Sequence, residues 1–326
     1  MPIIGHSTKH GTGRASVSPG GLEPTFDAGF ARRVGWQALG LAALCLALEG
    51  CSSLANQGPV SKSVAMGRQL TQQGINAMER GDWIRAESLL ERAVATSAKD
   101  PDARRSYAET LWHRGVPREA LVQLEEARKL AGADPSLTVR TGEVCLVLGQ
   151  LPESNRLVDE ALRLDPRFAP AWALRGRVAS AAGQPRQALA DYQRSLGYAP
   201  DNYDMAILVA ETYRQLNEPG RALVALQALA DRHSPGDEPQ QVLHLQGLAL
   251  SALGRHDDAV RVLSRAAERE RPTADLLCDL AQAQWMAGRP SYAQHALEQA
   301  LALNPNHRAS LALSSQIFAA NRAIVR

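Results

Sequence analysis

The chain has 326 residues, 45% hydrophobic and 5% aromatic, with 36 Lys and Arg against 34 Asp and Glu for a formal charge of +2. A near-balanced surface without a basic block argues against nucleic acid as the main partner. Four cysteines with no Cys-x-x-Cys, and eight histidines without ligand spacing, give neither a disulfide framework nor a metal site. The phosphate-loop, dinucleotide-fingerprint, His-Glu-x-x-His and Gly-x-Ser-x-Gly patterns are all absent. No catalytic, cofactor-binding or metal-binding residue is therefore assigned, and the chain is not read as an enzyme.

Residues 1–31 are rich in Gly, Ser, Pro and His and lack periodicity; they read as disordered or as a misassigned start. Residues 32–50 have the form of a secretory signal. Arg32-Arg33 precedes Val34 to Leu48, an apolar run interrupted by Gln37 and shorter than the roughly 20 residues a membrane span needs. The run ends in Leu48-Glu49-Gly50-Cys51-Ser52, which resembles a bacterial lipoprotein signal, with Glu49 departing from the motif. That resemblance implies lipidation of Cys51, and Ser52 implies sorting to the outer membrane with the remainder facing the periplasm. Residues 51–65 would then be the lipidated cysteine and its tether, while an uncleaved anchor helix is the alternative. Without residues 1–50, which hold four basic and three acidic residues, the chain keeps 32 basic and 31 acidic ones.

From residue 66 to 305 a phrase recurs. Gly81, Gly115, Gly149, Gly183, Asn217, Gly254 and Gly288 follow one another at steps of 34, 34, 34, 34, 37 and 34 residues. Seven residues before each stands a tiny residue: Gly74, Ala108, Gly142, Gly176, Ala210, Gly247 and Ala281. Five after each comes another small one (Ala86 to Ala293), and twelve after each a third (Ala93 to Ala300, with Leu229 larger). Between them, nine after, lies a bulky column: Leu90, Leu124, Val158, Tyr192, Leu226, Leu263 and Leu297. Small residues let two antiparallel helices approach, and the bulky ones fill the space left between close contacts. The glycine suits a left-handed position after the first helix, where Asn is the usual substitute. Proline follows it at 117, 152, 185, 219 and 290, as befits the first turn of the next helix. The longer step is placed in Asp231 to Pro239, a stretch of turn formers.

These columns resemble the tetratricopeptide repeat, most fully in Trp172, Gly176, Ala188, Tyr192, Ser195 and Pro200. The resemblance implies an all-α fold: a right-handed α-solenoid of about seven helix-turn-helix repeats over 66–305. Residues 306–326 form a C-terminal capping helix and tail, with Leu311, Leu313, Ile317 and Phe318 as its apolar residues. Cys145 sits in a packing column, and Cys278 is expected on the inner helix face, where it can be exposed.

In this family the first helix of each unit lines a concave groove that takes a peptide or helix. Counting back from the glycine places ten-before residues (Thr71, Arg105, Val139, Ala173, Ile207, His244, Cys278) on that surface. The six-before set (Glu109, Glu143, Arg177, Glu211 among them) and three-before set (Trp112, Arg214, Trp285 among them) join them. The candidate groove is thus Arg105, Glu109, Trp112, Arg140, Glu143, Arg177, Glu211, Arg214, His244 and Trp285. Each tryptophan is either a partner anchor or packing between repeats. The charges are either a polar track or i,i+3 and i,i+4 pairs such as Arg105–Glu109, Arg140–Glu143 and Glu211–Arg214 on solvated helices. The Lys/Asn set with which chaperone-binding relatives clamp a carboxylate is missing.

The expected function is a lipid-anchored scaffold holding protein or peptide partners at a bacterial envelope membrane. At the level of architecture only, it resembles the tetratricopeptide lipoproteins that assist pilus or secretin assembly. The alternative is a soluble or inner-membrane regulator or assembly factor of an export or polysaccharide system.

Overall fold

The computed structural model describes residues 61–324, and fifteen α-helices and no strand lie among them. Fourteen form seven antiparallel pairs: α1 (Lys62–Glu79) with α2 (Trp83–Thr96), α3 (Pro101–His113) with α4 (Pro117–Ala131), and α5 (Pro135–Val147) with α6 (Leu151–Leu164). Then come α7 (Ala169–Ala181) with α8 (Pro185–Tyr198), α9 (Tyr203–Gln215) with α10 (Pro219–Ala230), α11 (Gln240–Ala252) with α12 (His256–Arg269), and α13 (Ala274–Met286) with α14 (Pro290–Leu303). The last helix, α15 (Arg308–Ile324), packs on α13 and α14. The array is an α-solenoid of seven helix pairs and a terminal helix. Helix begins at Lys62, so the end of the stretch expected as tether is already the first turn of α1.

The turn within each pair repeats one set of bonds. After α7, Gly183 adopts φ of +72°, its N–H reaches the Ser180 carbonyl at 3.0 Å, and the Gln184 N–H reaches Ala179 at 2.9 Å. This six-to-one closure satisfies carbonyls the helix end would otherwise leave unpaired. Asn217 does the same with φ of +58° and a Glu218-to-Tyr213 bond of 2.9 Å, the sole non-glycine at positive φ among the described residues. Between pairs, Asp100 and Asp134 cap α3 and α5 by accepting two backbone N–H bonds each, and Pro101 and Pro135 follow as the first helical residue. At Asp165-Pro166 and Asn304-Pro305, by contrast, the first residue is the C-cap of α6 and of α14.

Every residue of the bulky column is buried, as are the small columns on either side of it. The close approach is literal. A Cβ on Gly176 would lie 2.4 Å from the Tyr192 ring, and one on Gly74 would lie 2.5 Å from Leu90 Cγ. Ser154 and Ser195 replace alanine without penalty because their hydroxyls donate to the Gly142 and Ala169 carbonyls at 2.8 and 2.9 Å. Each buried leucine of the column contributes roughly 1.5–3 kcal/mol of apolar transfer, spread evenly along the array.

The insertion lies where the sequence places it, between α10 and α11. It is tied down from α12: Arg265 pairs with Glu238 at 2.7 Å, and Arg269 donates to the Glu238 carbonyl at 3.1 Å. The Arg265 hydrogen bond holds the Glu238 carboxyl below its usual range. At the far end α15 covers the seventh pair with Leu313 and Ile317 only; Leu311 and Phe318 point elsewhere and are exposed. The terminal helix thus carries two apolar faces rather than one.

Candidate functional site

Inner helices of successive repeats touch, as α1 touches α3 and α5 touches α7. The surface they share is where the groove residues fall, though not uniformly. The ten-before positions Thr71, Val139, Ala173, Ile207 and Cys278 are buried, and only Arg105 and His244 of that set reach the surface. Cys278 is 6% exposed, which corrects its expected exposure. That position packs on the next inner helix: Ile207 clusters with Val242 and Leu245 of α11, and Cys278 with Leu313 and Ile317 of α15.

The six-before and three-before positions do line the surface. Glu109, Glu143, Arg177, Glu211, Trp112, Arg214 and Trp285 are each half-buried. Four of the charges form a ladder across three inner helices. Arg140 on α5 grips Glu109 on α3 with two bonds, Nε–Oε1 at 2.6 Å and Nη2–Oε2 at 2.7 Å. Its Nη1 donates to Glu143 Oε2 at 3.0 Å, and the other oxygen of Glu143 accepts from Arg177 Nη2 on α7 at 2.5 Å. Burial works against the charge on Arg140, yet its hydrogen bonds to Glu109 and Glu143 and their negative charges outweigh it and hold the guanidinium above its usual range. Further along, His244 Nε2 on α11 meets Asp279 Oδ2 on α13 at 2.7 Å.

The local i,i+3 and i,i+4 pairing expected from sequence holds for Arg140–Glu143 alone. Arg105–Glu109 and Glu211–Arg214 make no ion pair; Glu109 instead takes its partner, Arg140, from the next repeat. A side chain on an inner helix sits closer to its counterpart on the next repeat than the local spacing suggests. Asp279 escaped the sequence reading, although its 35-residue distance from His244, near one repeat length, was a usable signal.

Both tryptophans serve packing between helices. Arg140 stands 4.8 Å over the Trp112 ring, whose other side rests on the cluster containing Ala108, Leu111 and Leu124. Trp285 packs on Cys278, Ala281 and Ile317. In contrast, Arg105, Glu211 and Arg214 have no hydrogen-bond or ion-pair partner among the described residues. A concavity of about 730 Å³ opens between α1 and α3, lined by Arg68, Thr71, Gln72, Lys99, Arg105 and Ser106. Asp100 and Asp102 also line it, with Asp100 engaged as the α3 cap. Among the described residues no group of three His, Cys, Asp or Glu is placed to hold a metal ion. The arrangement is suited to reversible contact with another chain through charge and shape. The lipidation site Cys51 and the signal at 32–50 lie outside the described residues.

The fold and this surface define a helical-repeat scaffold for protein contacts. Profiles of the tetratricopeptide repeat match residues 77–135 and 179–242, and a second profile of the same repeat matches 244–291 and 278–324. The chain is a tetratricopeptide-repeat protein. It is similar to the Hsp70-Hsp90 organizing protein of Triticum aestivum, at 22% identity over 161 residues. That match takes in 49% of this chain and only 28% of the relative's length. Among solved structures, a tetratricopeptide repeat protein from Parabacteroides merdae superposes with a TM-score of 0.59 at 14% identity, covering 78% of this chain and 99% of that one. Pseudomonas aeruginosa pilF gives 0.51 at 15% identity, with the same coverage of 78% and 99%. These likenesses establish the fold.

Proposed function

We propose that the array is a scaffold that holds a protein partner along its inner-helix surface, tethered by a lipid on Cys51 to a bacterial envelope membrane. The observation that carries the first part is the division of the groove charges. Glu109, Arg140, Glu143 and Arg177 pair with one another, whereas Arg105, Glu211 and Arg214 stand half-exposed or exposed without a partner among the described residues. Paired charges fix the spacing of the repeats; unpaired ones remain open to a ligand. A charge reversal at Glu211 and Arg214 therefore weakens partner binding without disturbing the ladder. Retention of a bound protein on immobilised Glu211→Lys/Arg214→Glu chain, compared with the native chain and with Ile84→Glu on an outer helix, reads this directly. Equal retention by all three would sink the groove reading.

The second part rests on the position of Cys51 at the end of the apolar run Val34–Leu48. Labelling with a lipid precursor is expected in the native chain and lost in Cys51→Ala, with detergent-dependent release alongside outer-membrane material. Equal labelling of the two, or release without detergent, would instead favour the soluble or inner-membrane regulator.

A further inference from the structure

The inner surface changes character along the array. The six-before column is charged on four successive inner helices, as Glu109, Glu143, Arg177 and Glu211, and neutral on the next two, as Leu248 and Gln282. The three-before residues of those two helices, Ser251 and Trp285, are neutral as well. Between α11 and α13, which pack together, lies a notch of about 270 Å³. Leu248, Ser251 and Ala252 of α11 line one side, and Asp279, Ala283 and Met286 of α13 the other. Asp279 is already engaged by His244 at 2.7 Å, while Met286 is 55% exposed and Ala252 is exposed too. The space is smaller than the roughly 300–1,000 Å³ of small-molecule pockets. Its walls suit one large apolar side chain.

The helix beside the notch decides what brings such a side chain there. α9 packs on α11, and on α9 Glu211 and Arg214 are half-buried without a hydrogen-bond or ion-pair partner among the described residues. Three residues apart on one helix, they present opposite charges side by side. A ligand of one sign would be drawn by one and repelled by the other, so a segment carrying both an acid and a base answers the pair. The middle of the notch lies about one and a half helix spacings from α9, each roughly 8–10 Å. An extended chain, rising roughly 3.3 Å per residue, covers that in about four or five residues. A docked helix would call for a row of anchor sites at helical spacing, and a single notch suits an extended chain.

We propose that the groove takes an extended peptide segment of a partner protein with an acid and a base set against Arg214 and Glu211. About four or five residues on, that segment carries one large apolar residue, seated in the notch between α11 and α13. This rests on the inner-surface reading above and adds which part of that surface selects the ligand. The charged pair on α9 sets the register, and the notch supplies the anchor. The ladder of Glu109, Arg140, Glu143 and Arg177, paired within the array, lies outside the footprint.

A phage-displayed library of random dodecapeptides, panned on the immobilised full chain, is the probe. Enriched sequences should combine an acid and a base with a Leu, Met or Phe about four or five positions away. A fluorescein-labelled peptide made from one of them should bind saturably by anisotropy. Met286→Asp, and Ala252→Phe, which fills the notch without adding charge, should each weaken binding about tenfold or more, as should Asp at the peptide's apolar position. Both chain positions are exposed, so the two variants should melt as the native chain does. Ile84→Glu, on an outer helix, should bind as the native chain does. Peptides that lose affinity for Glu211→Lys/Arg214→Glu yet bind Met286→Asp and Ala252→Phe as tightly as the native chain would overturn the anchor notch and leave the inner-surface reading standing. Peptides indifferent to all four substitutions, or no enrichment, would overturn both. A native chain that dimerises, with Met286→Asp monomeric, would show a second copy over the notch and overturn the peptide proposal.

Discussion

Arg140 on α5 holds Glu109 on α3 in a two-pronged ion pair of 2.6 and 2.7 Å, joining residues 31 apart in the chain and one repeat apart in space. The same guanidinium reaches Glu143, and Glu143 reaches Arg177, so three repeats are fastened by one run of charge. Two parallel bonds to one carboxylate fix orientation as well as distance, which a lysine cannot do.

Removing Arg140 leaves Glu109 and Glu143 half-buried without their shared cation. Arg140→Ala is expected to cost about 1–3 kcal/mol, seen as an earlier urea midpoint by circular dichroism. Arg140→Lys should recover only part of this. Arg163→Ala, on an exposed outer face, should change the midpoint little.

The small column predicts an asymmetry between two conservative changes. Gly176→Ala places a methyl 2.4 Å from the Tyr192 ring and 3.1 Å from the Ala188 carbonyl, so the helices must separate. A loss of about 1–3 kcal/mol is expected from overpacking. Asn217→Gly, at φ of +58°, should be neutral or slightly stabilising, whereas Asn217→Val should lose about 1 kcal/mol or more. Equal melting curves for Gly176→Ala and the native chain would contradict the close approach.

Much of this fold is visible in the sequence because close packing restricts side-chain size, and the restriction recurs every 34 residues. Gly176 opposite Tyr192 is such a case: the pair is legible because no larger residue fits beneath the ring. The groove is less legible. Nothing in the local spacing of Arg140 tells that it turns to Glu109 on another repeat as well as to Glu143 on its own helix. Cys278 shows the same limit, since its burial depends on Ile317 arriving from α15. Leu311 and Phe318 look like further cap residues in the sequence, yet they stay exposed and only Leu313 and Ile317 turn onto the seventh repeat.

The two cysteines within the repeats, Cys145 and Cys278, give a pH-dependent test. Burial pushes the Cys145 thiol up to about 11 from 9.0, and burial raises Cys278 as well. A thiol raised in the folded state stabilises fully below the unfolded value. The contribution of Cys145 is therefore complete below about pH 9 and fades between pH 9 and 11. Maleimide labelling of native protein at pH 8 should leave both cysteines unmodified, while labelling in denaturant should reach both. Cys145→Ala should flatten the fall in stability above pH 9.

The central claim is that the inner-helix surface, and not the outer helices, holds the partner. Site-specific photocrosslinking in cells tests it most directly, with the crosslinker at Ser180 or Arg214 on inner helices and at Ile84 or Val224 on outer ones. The account predicts that Ser180 and Arg214 capture the same protein and that Ile84 and Val224 do not. Capture of that protein equally well from Ile84 and Val224 would contradict it.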